Sequence, residues 1–147
     1  MRIREYTEKD IEEMTTLIKK LCEINNREFD ELEWKKDLEK HLEKNSNSEV
    51  LIALDQDDKT IIGMAYFSVQ NSSKGVRIGY ISNLIVKEEK RRFGIGEEII
   101  RKIIDHSKSN HIHSIRLALR PDIDIGAKKL FIKLGFKNFL HIYELQI

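Results

Sequence analysis

An amphipathic helix pattern enclosed by two strand patterns is the feature of this sequence that most constrains its fold. Residues 94–107 carry an apolar stripe at helical spacing, formed by Ile95, Ile99, Ile100, Ile103 and Ile104. The flanking residues 78–86 and 112–119 are rich in apolar and β-branched side chains, which is typical of strands. A strand, a helix and a strand in succession predict a crossover connection, so the predicted fold class is α/β.

The remaining periodicities complete the order β-α-α-β-β-β-α-β-α-β. Further strands are predicted over residues 2–6, 50–54, 61–69 and 139–147, and further helices over residues 11–21, 30–44 and 127–134. Thr7 and Asp10 have the spacing of a cap at the first helix, and Gly135 has the position of a C-terminal cap on the last. No linker divides the chain, so residues 1–147 are predicted to form a single domain.

Charge and cysteine content argue against several classes of protein. Lys and Arg total 26 against 25 for Asp and Glu, and the net charge of +1 argues against a dedicated nucleic-acid binder. Cys22 is the single cysteine, which excludes an intrachain disulfide framework. His111 and His113 have no third ligand at metal-site spacing, so no metal is expected. No apolar run approaches the ~20 residues of a membrane span and no signal sequence is evident, so we expect a cytoplasmic protein without a membrane partner.

The junction between the strand that ends at Val86 and the helix that begins at Gly94 has the pattern of an anion site. Unpaired N–H groups at a helix N-terminus lie at the positive end of the helix dipole and favour a bound anion. Gly94 and Gly96 leave the backbone open to a diphosphate, and Arg91 and Arg92 add positive charge. Two glycines at this spacing are equally compatible with a simple strand-to-helix turn, and they lack the third glycine of a Rossmann fingerprint.

These residues resemble a known family. Arg91-x-x-Gly94-x-Gly96, after a strand that ends in Leu84-Ile85-Val86, is similar to the acyl-CoA pyrophosphate motif of the GNAT superfamily of N-acetyltransferases. Residues 127–136, which close in Leu-Gly-Phe, are similar to the second signature of that family. The resemblance implies the GNAT acyl-CoA N-acyltransferase fold. That fold has a mixed, mostly antiparallel sheet of about six to seven strands and four flanking helices, and its strands four and five splay apart into a V-shaped gap.

The resemblance also implies acetyl-CoA as co-substrate, with coenzyme A in the gap and no metal. The pantetheine arm is expected along the backbone of residues 84–86, and the pyrophosphate on the N–H groups of residues 92–97. The Val86 N–H is expected to stabilise the oxyanion that forms when an amine attacks the acetyl carbon. The implied coenzyme-binding residues are Leu84, Ile85, Val86, Arg91, Arg92, Phe93, Gly94, Ile95, Gly96, Glu97, Asp124 and Phe131.

Three positions depart from the family pattern. Phe131 stands where a tyrosine usually protonates the departing sulfur, so the thiolate must leave without that donor. Asp124 stands where an asparagine is frequent, and it is equally a candidate helix N-cap. Strand four carries Ser82 and Asn83 where many relatives have an acidic residue as general base or water-holder. The predicted catalytic groups are therefore the Val86 N–H, Tyr80 and Asn83, where Tyr80 either orders a water or packs as a strand aromatic.

The sequence thus predicts an acetyl-CoA-dependent N-acetyltransferase that acts on a primary amine of a small molecule by direct attack. Acylation of a protein N-terminus or lysine is the alternative reaction, and a non-catalytic acyl-CoA-binding module is the alternative of another class. Candidate substrate contacts are Glu23, Arg27, Trp34 and Tyr66; the first two are otherwise a solvated loop and the last two core aromatics. The expected partner is a small-molecule or peptide amine, not a nucleic acid, and the chain is expected to be a monomer or a homodimer.

Overall fold

A five-stranded mixed sheet forms the centre of the fold. The computed structural model describes residues 1–42, 47–119 and 125–147. The strands lie side by side in chain order: β1 (Arg2–Glu5), β2 (Ser48–Leu54), β3 (Ile61–Asn71), β4 (Arg77–Val86) and β5 (Ser114–Leu117). Much of β2 and the first seven residues of β3 are buried. Because both of their faces are covered, these strands appear in the sequence as continuous apolar runs rather than as alternation.

The direction of each strand follows from how it is connected. β1 to β4 pair antiparallel, whereas β5 joins β4 in parallel. A helix links β4 to β5, as the crossover pattern predicted, because parallel neighbours cannot be joined by a tight turn. β3 and β4 are instead joined by a hairpin, in which the Ser72 N–H donates to the Val76 carbonyl at 2.7 Å and Gly75 has φ +77°.

Four helices cover the two faces of the sheet. α1 (Ile11–Ile24) and α2 (Glu31–Leu42) pack on one face, and α3 (Ile95–Ser109) and α4 (Ile125–Lys133) pack on the other. The predicted end of α2 at residue 44 lies outside the described residues. The first core includes Met14, Leu17, Trp34, Leu38, Ile52 and Met64, and the second includes Phe67, Ile99, Ile100, Ile103 and Phe131. No described helix is both long and apolar enough to cross a membrane.

Helix α3 packs directly on the backbone of β3 at Gly63. A Cβ at this position would lie 3.3 Å from Ile99 Cδ1 and 3.4 Å from Ile95 Cγ2, and 3.2 Å from the Ile85 carbonyl oxygen. Glycine therefore allows the isoleucine stripe to approach the sheet closely. Gly63 pairs with Val86 of β4, so this contact places the first turn of α3 next to the end of β4.

The prediction of a last strand over residues 139–147 is wrong for the single chain. This segment has no strand pairing, and the described residues form five strands rather than the six to seven expected. Its apolar side chains are exposed instead, Ile142 to 81% and Tyr143 to 94%. An apolar, β-branched pattern indicates a segment that suits a strand, but a strand forms only where an edge provides backbone partners.

An ion pair holds the turn from β1 into α1. Arg4 donates from Nη1 to Asp10 Oδ2 at 2.8 Å and from Nη2 to Asp10 Oδ1 at 3.1 Å. The Thr7 N–H donates to Asp10 Oδ2 at 2.7 Å, so Thr7 and Asp10 form the predicted capping box, but at a short 3-10 helix, Glu8–Asp10, that leads into α1. Burial raises the pKa of Asp10, but the Arg4 and Thr7 donors together outweigh burial and leave this pKa below its ordinary value.

We expect Asp10→Asn to lower the free energy of unfolding by about 2 kcal/mol at neutral pH, because a charged acceptor shared by Arg4 and Thr7 is lost. The pKa of Asp10 is lower in the folded than in the unfolded chain, where it is about 3.9. Its contribution is therefore present above about pH 4 and is lost as pH falls through the folded pKa. Urea unfolding of both proteins as a function of pH measures this, and a stability difference that persists unchanged in acid would contradict it.

Candidate active site

The ladder between β4 and β5 ends before β4 does, which leaves an open edge. Parallel pairing runs from Ile78 opposite Ser114 to Ile81 opposite Leu117. β4 continues to Val86, and over these last residues its described strand partner is β3 alone. Among the described residues, therefore, no strand pairs with the outer edge of β4 beyond Ile81, and this stretch is the open edge of β4.

A β-bulge lies where this open edge begins. Tyr66 of β3 pairs with Ser82, whereas Met64 pairs with Ile85, so β4 has one residue more than β3 between these pairs. Asn83 occupies the bulge with φ +51°, a conformation that asparagine tolerates better than most residues. The extra residue shifts the alternation of side chains by one, so residues after the bulge face the opposite side of the sheet from the one they would otherwise face. Ile81 therefore packs in the core beneath α3, whereas Ile85, four residues later, packs in the core beneath α1.

The backbone of Val86 points away from β3, toward the open edge of β4. The Lys87 N–H donates to the Ile62 carbonyl at 2.8 Å, toward β3. Backbone groups of successive strand residues face opposite edges, so the N–H and carbonyl of Val86 face away from β3. The Arg91 Nε donates to the Val86 carbonyl at 3.2 Å on that side, which agrees with this direction.

The N-terminus of α3 opens at the same end of the sheet. Gly94 is its N-cap with φ +78°, and nothing lies within 4 Å of the position that a Cβ would take there. The Glu98 N–H makes the bond to the Gly94 carbonyl at 3.0 Å that starts the helix. The N–H groups of Ile95, Gly96 and Glu97 come before that bond, at the positive end of the helix dipole.

The backbone conformation at Gly96 is one that any residue could adopt. Its φ lies outside the left-handed region, and a Cβ there would make ordinary contacts of 3.7 Å to Val86 Cγ2 and 3.9 Å to Leu130 Cδ2. Gly96 lies in the first turn of α3, where the lack of a side chain leaves the backbone open to close approach by a ligand.

Several charged side chains around the junction are already paired. Lys90 Nζ lies 2.9 Å from Asp55 Oδ2, which ties the turn after β4 to the β2–β3 connection. Glu97 accepts from Arg101 Nη2 at 2.8 Å and from Lys133 Nζ at 3.2 Å. These donors, Arg101 first, lower the pKa of Glu97 and offset its negative charge at the helix N-terminus.

The polar loop after α1 lies at this end of the sheet. Lys20 in the last turns of α1 has its Nζ 3.5 Å from Glu88 Oε2, in the turn that follows β4. Glu23 and Arg27, which the sequence predicted as substrate contacts, follow Lys20 closely and are exposed. The Lys20–Glu88 contact places the last turns of α1 at the end of the sheet where β4 opens, and the substrate role of Glu23 and Arg27 stays a prediction.

The other predicted substrate contacts lie in the core. Trp34 and Tyr66 are buried in the cluster between the sheet and the α1–α2 layer. Burial raises the pKa of Tyr66 well above its ordinary value. Tyr66 is therefore a neutral phenol throughout the physiological pH range.

The predicted catalytic and coenzyme residues are only partly brought together. Val86 and Asn83 border the open edge, but Tyr80 lies in the paired part of β4 opposite Arg116, roughly 20 Å along the strand from Val86. Phe131 is buried, with its ring centre 5.4 Å from that of Phe136. Asp124 lies outside the described residues.

Two features of the site were missed from the sequence, namely the bulge and the bond from Arg91 to the Val86 carbonyl. The only local sign of the bulge was an asparagine within an apolar strand. A cavity of about 730 Å³ between α1 and α2 was also not anticipated, and its lining comes from those helices and Glu8 rather than from β4 or α3. Within the described residues, no three His, Cys, Asp or Glu side chains cluster as metal ligands.

Both the sequence and the fold of this chain are similar to those of known proteins. The Acetyltransferase (GNAT) family profile matches residues 15–136. No curated protein sequence matches the chain. Among solved structures, a transcriptional regulator from Bacillus halodurans is 20% identical and superimposes with a TM-score of 0.83 over 99% of both chains.

Two solved acetyltransferases share the fold at lower identity. Glucosamine-6-phosphate N-acetyltransferase from Arabidopsis thaliana is 14% identical, with a TM-score of 0.77 over 99% of this chain and 97% of that chain. Ribosomal-protein-alanine N-acetyltransferase from Brucella melitensis biovar Abortus is 19% identical, with a TM-score of 0.76 over 100% of both chains. Such identities establish a shared fold alone. The family profile spans most of the sequence, and the chain therefore belongs to the GNAT family of acetyltransferases, which generally use acetyl-CoA.

Proposed function

We propose that this protein is a cytoplasmic, acetyl-CoA-dependent N-acetyltransferase that acetylates a primary amine of a small molecule by direct attack. The main supporting observation is the open edge of β4 from the Asn83 bulge to Val86, beside the N-terminus of α3. A strand edge suits an arm that carries amides, and a helix N-terminus suits a diphosphate. Coenzyme A contains both groups, one after the other.

The residues at the junction fit this coenzyme by their chemistry. The N–H groups of Ile95, Gly96 and Glu97 would hold the pyrophosphate, and the exposed Arg92 adds positive charge. The backbone groups of Leu84 and the carbonyl of Val86 would pair with the amides of the pantetheine arm, which leaves the Val86 N–H for the thioester carbonyl. Gly96 carries no side chain that would come between the backbone of α3 and the coenzyme.

The Val86 N–H is the group that we assign to oxyanion stabilisation. The amine nitrogen attacks the thioester carbonyl carbon, and the carbonyl electron pair moves onto the oxygen. A backbone donor fixed in the gap stabilises that charge without reorganising. The carbonyl then re-forms as the carbon–sulfur bond breaks, so coenzyme A leaves with the sulfur electron pair and the proton lost by the nitrogen is returned to the thiolate through water.

This chain provides few side chains for proton transfer at that centre. β4 has no Asp or Glu between Arg77 and Val86, and Phe131 carries no ionisable group. A thiol pKa of about 8.5 makes departure as a thiolate at pH 7 cost only about 2 kcal/mol. We therefore propose that the acceptor reacts as its own neutral fraction, which favours amines of low pKa.

The choice of a small acceptor rests on the loop beside the gap. Glu23 can attract an ammonium group and Arg27 an anionic group; both are exposed, and they follow Lys20, which reaches the turn after β4. Among the structural neighbours, one is named for glucosamine 6-phosphate and another for a ribosomal protein. A test of this proposal must accordingly include both kinds of amine.

Release of free thiol from acetyl-CoA in the presence of an amine panel tests the function directly. The panel contains small primary amines, peptides with free N-termini and peptides with internal lysines. We expect turnover with small amines. Turnover only with peptides would show that the acceptor is a protein amine and not a small molecule. Tight binding of acetyl-CoA without turnover would identify a non-catalytic binding module.

We expect Gly96→Val to weaken coenzyme A binding by more than about tenfold, because the added methyl groups enter the space between β4 and α4. Isothermal titration calorimetry of the folded variant measures this. Asp105→Val is the matched control, since it places the same residue on the exposed face of the same helix. Equal affinities of the two variants would show that the coenzyme does not pass Gly96.

We expect kcat/KM to rise about tenfold per pH unit below the pKa of the acceptor and to level off above it, because no enzyme carboxylate serves as base. Two amines of similar shape but different pKa should reach their plateaus at correspondingly different pH values. A single inflection shared by both amines would show that a group of the enzyme performs the deprotonation.

A further inference from the structure

The turn that joins β4 to α3 (residues 87–94, called the β4–α3 turn) is largely exposed. Six of its eight residues are exposed, and the Phe93 side chain is 74% exposed although it is apolar. Arg92 has φ +70°, a left-handed conformation that is unfavourable for arginine. A strained turn with so little burial needs contacts from other elements to keep one conformation.

Within the described residues, two ion pairs connect side chains of this turn to other elements. Lys20 Nζ lies 3.5 Å from Glu88 Oε2, which is longer than an ordinary hydrogen bond. Lys90 Nζ lies 2.9 Å from Asp55 Oδ2, which is hydrogen-bond length. The Lys90 ammonium is the main group that lowers the pKa of Asp55, and Asp55 is the main group that raises the pKa of Lys90. The Lys90–Asp55 pair is therefore the stronger of the two contacts.

Asp55 belongs to the connection between β2 and β3 (residues 55–60, called the β2–β3 turn), which its own hydrogen bonds hold in shape. Asp57 accepts three of them, from the Thr60 hydroxyl at 2.6 Å and from two N–H groups at 2.9 Å. These donors, the Thr60 hydroxyl first, hold the pKa of Asp57 at about 2. The Gln56 N–H donates to Asp55 Oδ1 at 2.8 Å. The carboxylate that pairs with the β4–α3 turn is thus itself fixed.

We propose that Asp55 is a positioning residue for coenzyme binding, which acts through Lys90 to hold the β4–α3 turn in the conformation that receives the diphosphate. This inference rests on the proposed function, because it takes coenzyme A as the ligand of the turn. Arg91 and Arg92 lie in this turn, and α3 begins directly after it. A loose turn would have to be ordered when the coenzyme binds, which lowers affinity.

The direction of the effect separates positioning from simple electrostatics. If charge alone mattered, removal of the Asp55 carboxylate would strengthen the binding of an anion, and it would also free Lys90 to approach the diphosphate. Removal of a support has the opposite result, because part of the binding free energy then goes into ordering the turn. Asp55→Asn therefore distinguishes the two roles by whether the dissociation constant for coenzyme A rises or falls.

Isothermal titration calorimetry with coenzyme A measures this constant. We expect Asp55→Asn to weaken binding about two- to fivefold, the range that an exposed ion pair can provide. The substitution keeps an acceptor oxygen for the Gln56 N–H, so the β2–β3 turn is preserved.

Asp58→Asn is the matched control for this titration. It removes the same charge from an exposed side chain of the same turn, which has no ion pair among the described residues. Asp58 has φ +55°, a conformation that asparagine also tolerates. Equal affinities of the two variants, or tighter binding by Asp55→Asn than by Asp58→Asn, would overturn the proposal.

Substitutions at Lys90 test whether Asp55 acts through it. Lys90→Arg keeps the ion pair and should bind coenzyme A as the wild-type chain does, whereas Lys90→Gln should weaken binding. Adding Asp55→Asn to Lys90→Gln should cause no further loss, because the two residues act through one contact. A further loss in the double variant would show that Asp55 acts independently of Lys90.

Hydrogen exchange of the free protein distinguishes failure of this inference from failure of the proposed function. The Lys87 N–H donates to the Ile62 carbonyl at 2.8 Å and the Lys90 N–H to the Lys87 carbonyl at 2.9 Å. Both amides should exchange faster in Asp55→Asn than in Asp58→Asn. A wild-type chain that does not bind coenzyme A would refute the proposed function and this inference with it. Wild-type binding with equal exchange and equal affinity in the two variants would leave the proposed function standing and refute the role of Asp55.

Discussion

The candidate site depends on how closely α3 packs against the sheet. Its stripe rests on β3 at Gly63, opposite Val86, where a Cβ would lie 3.3 Å from Ile99. Each buried isoleucine contributes about 1.5–3 kcal/mol of hydrophobic free energy. Moving α3 away from the sheet would expose several isoleucines at once, so the packing fixes the position of the helix. The helix N-terminus is therefore held beside the end of β4. A ligand that needs both the N–H groups of a helix and the edge of a strand meets them already in place.

The bulge fixes the position of the end of β4 in the same way that packing fixes α3. Without it, Ile81 and Ile85 would lie on one face of the sheet, whereas here each packs in a different core. The strand is anchored on both sides over the residues where it loses β5 as a neighbour. An edge that is open to a ligand can thus be rigid, because side-chain burial above and below the sheet replaces the missing backbone partners.

Features that depend on short-range sequence could be predicted, and features that depend on pairing between distant segments could not. The isoleucine stripe and the pattern Arg91-x-x-Gly94-x-Gly96 each lie within one element and its cap, so the position of α3 and the family followed from them. The bulge is defined by how β4 pairs with β3, and the asparagine at position 83 alone does not predict it. Trp34 and Tyr66 were candidate substrate contacts because aromatic residues occur in sites and cores alike, and only the packing of α2 on the sheet places them in the core. Residues 139–147 show the same limit, since their composition suits a strand but none of the described strands pairs with them.

Because of the bulge, the faces on which the last side chains of β4 lie depend on the exact number of residues in the strand. Side chains of a strand alternate between its two faces, so deletion of one residue at Asn83 would move everything after it to the opposite face. Ile85 would then leave the α1 core for the α3 layer, and the Val86 N–H and carbonyl would point into β3. Substitutions at this position leave the alternation intact, whereas single insertions and deletions do not. Change of sequence length within these few residues is consequently much more constrained than change of residue type, even though the segment lies at an open edge of the sheet.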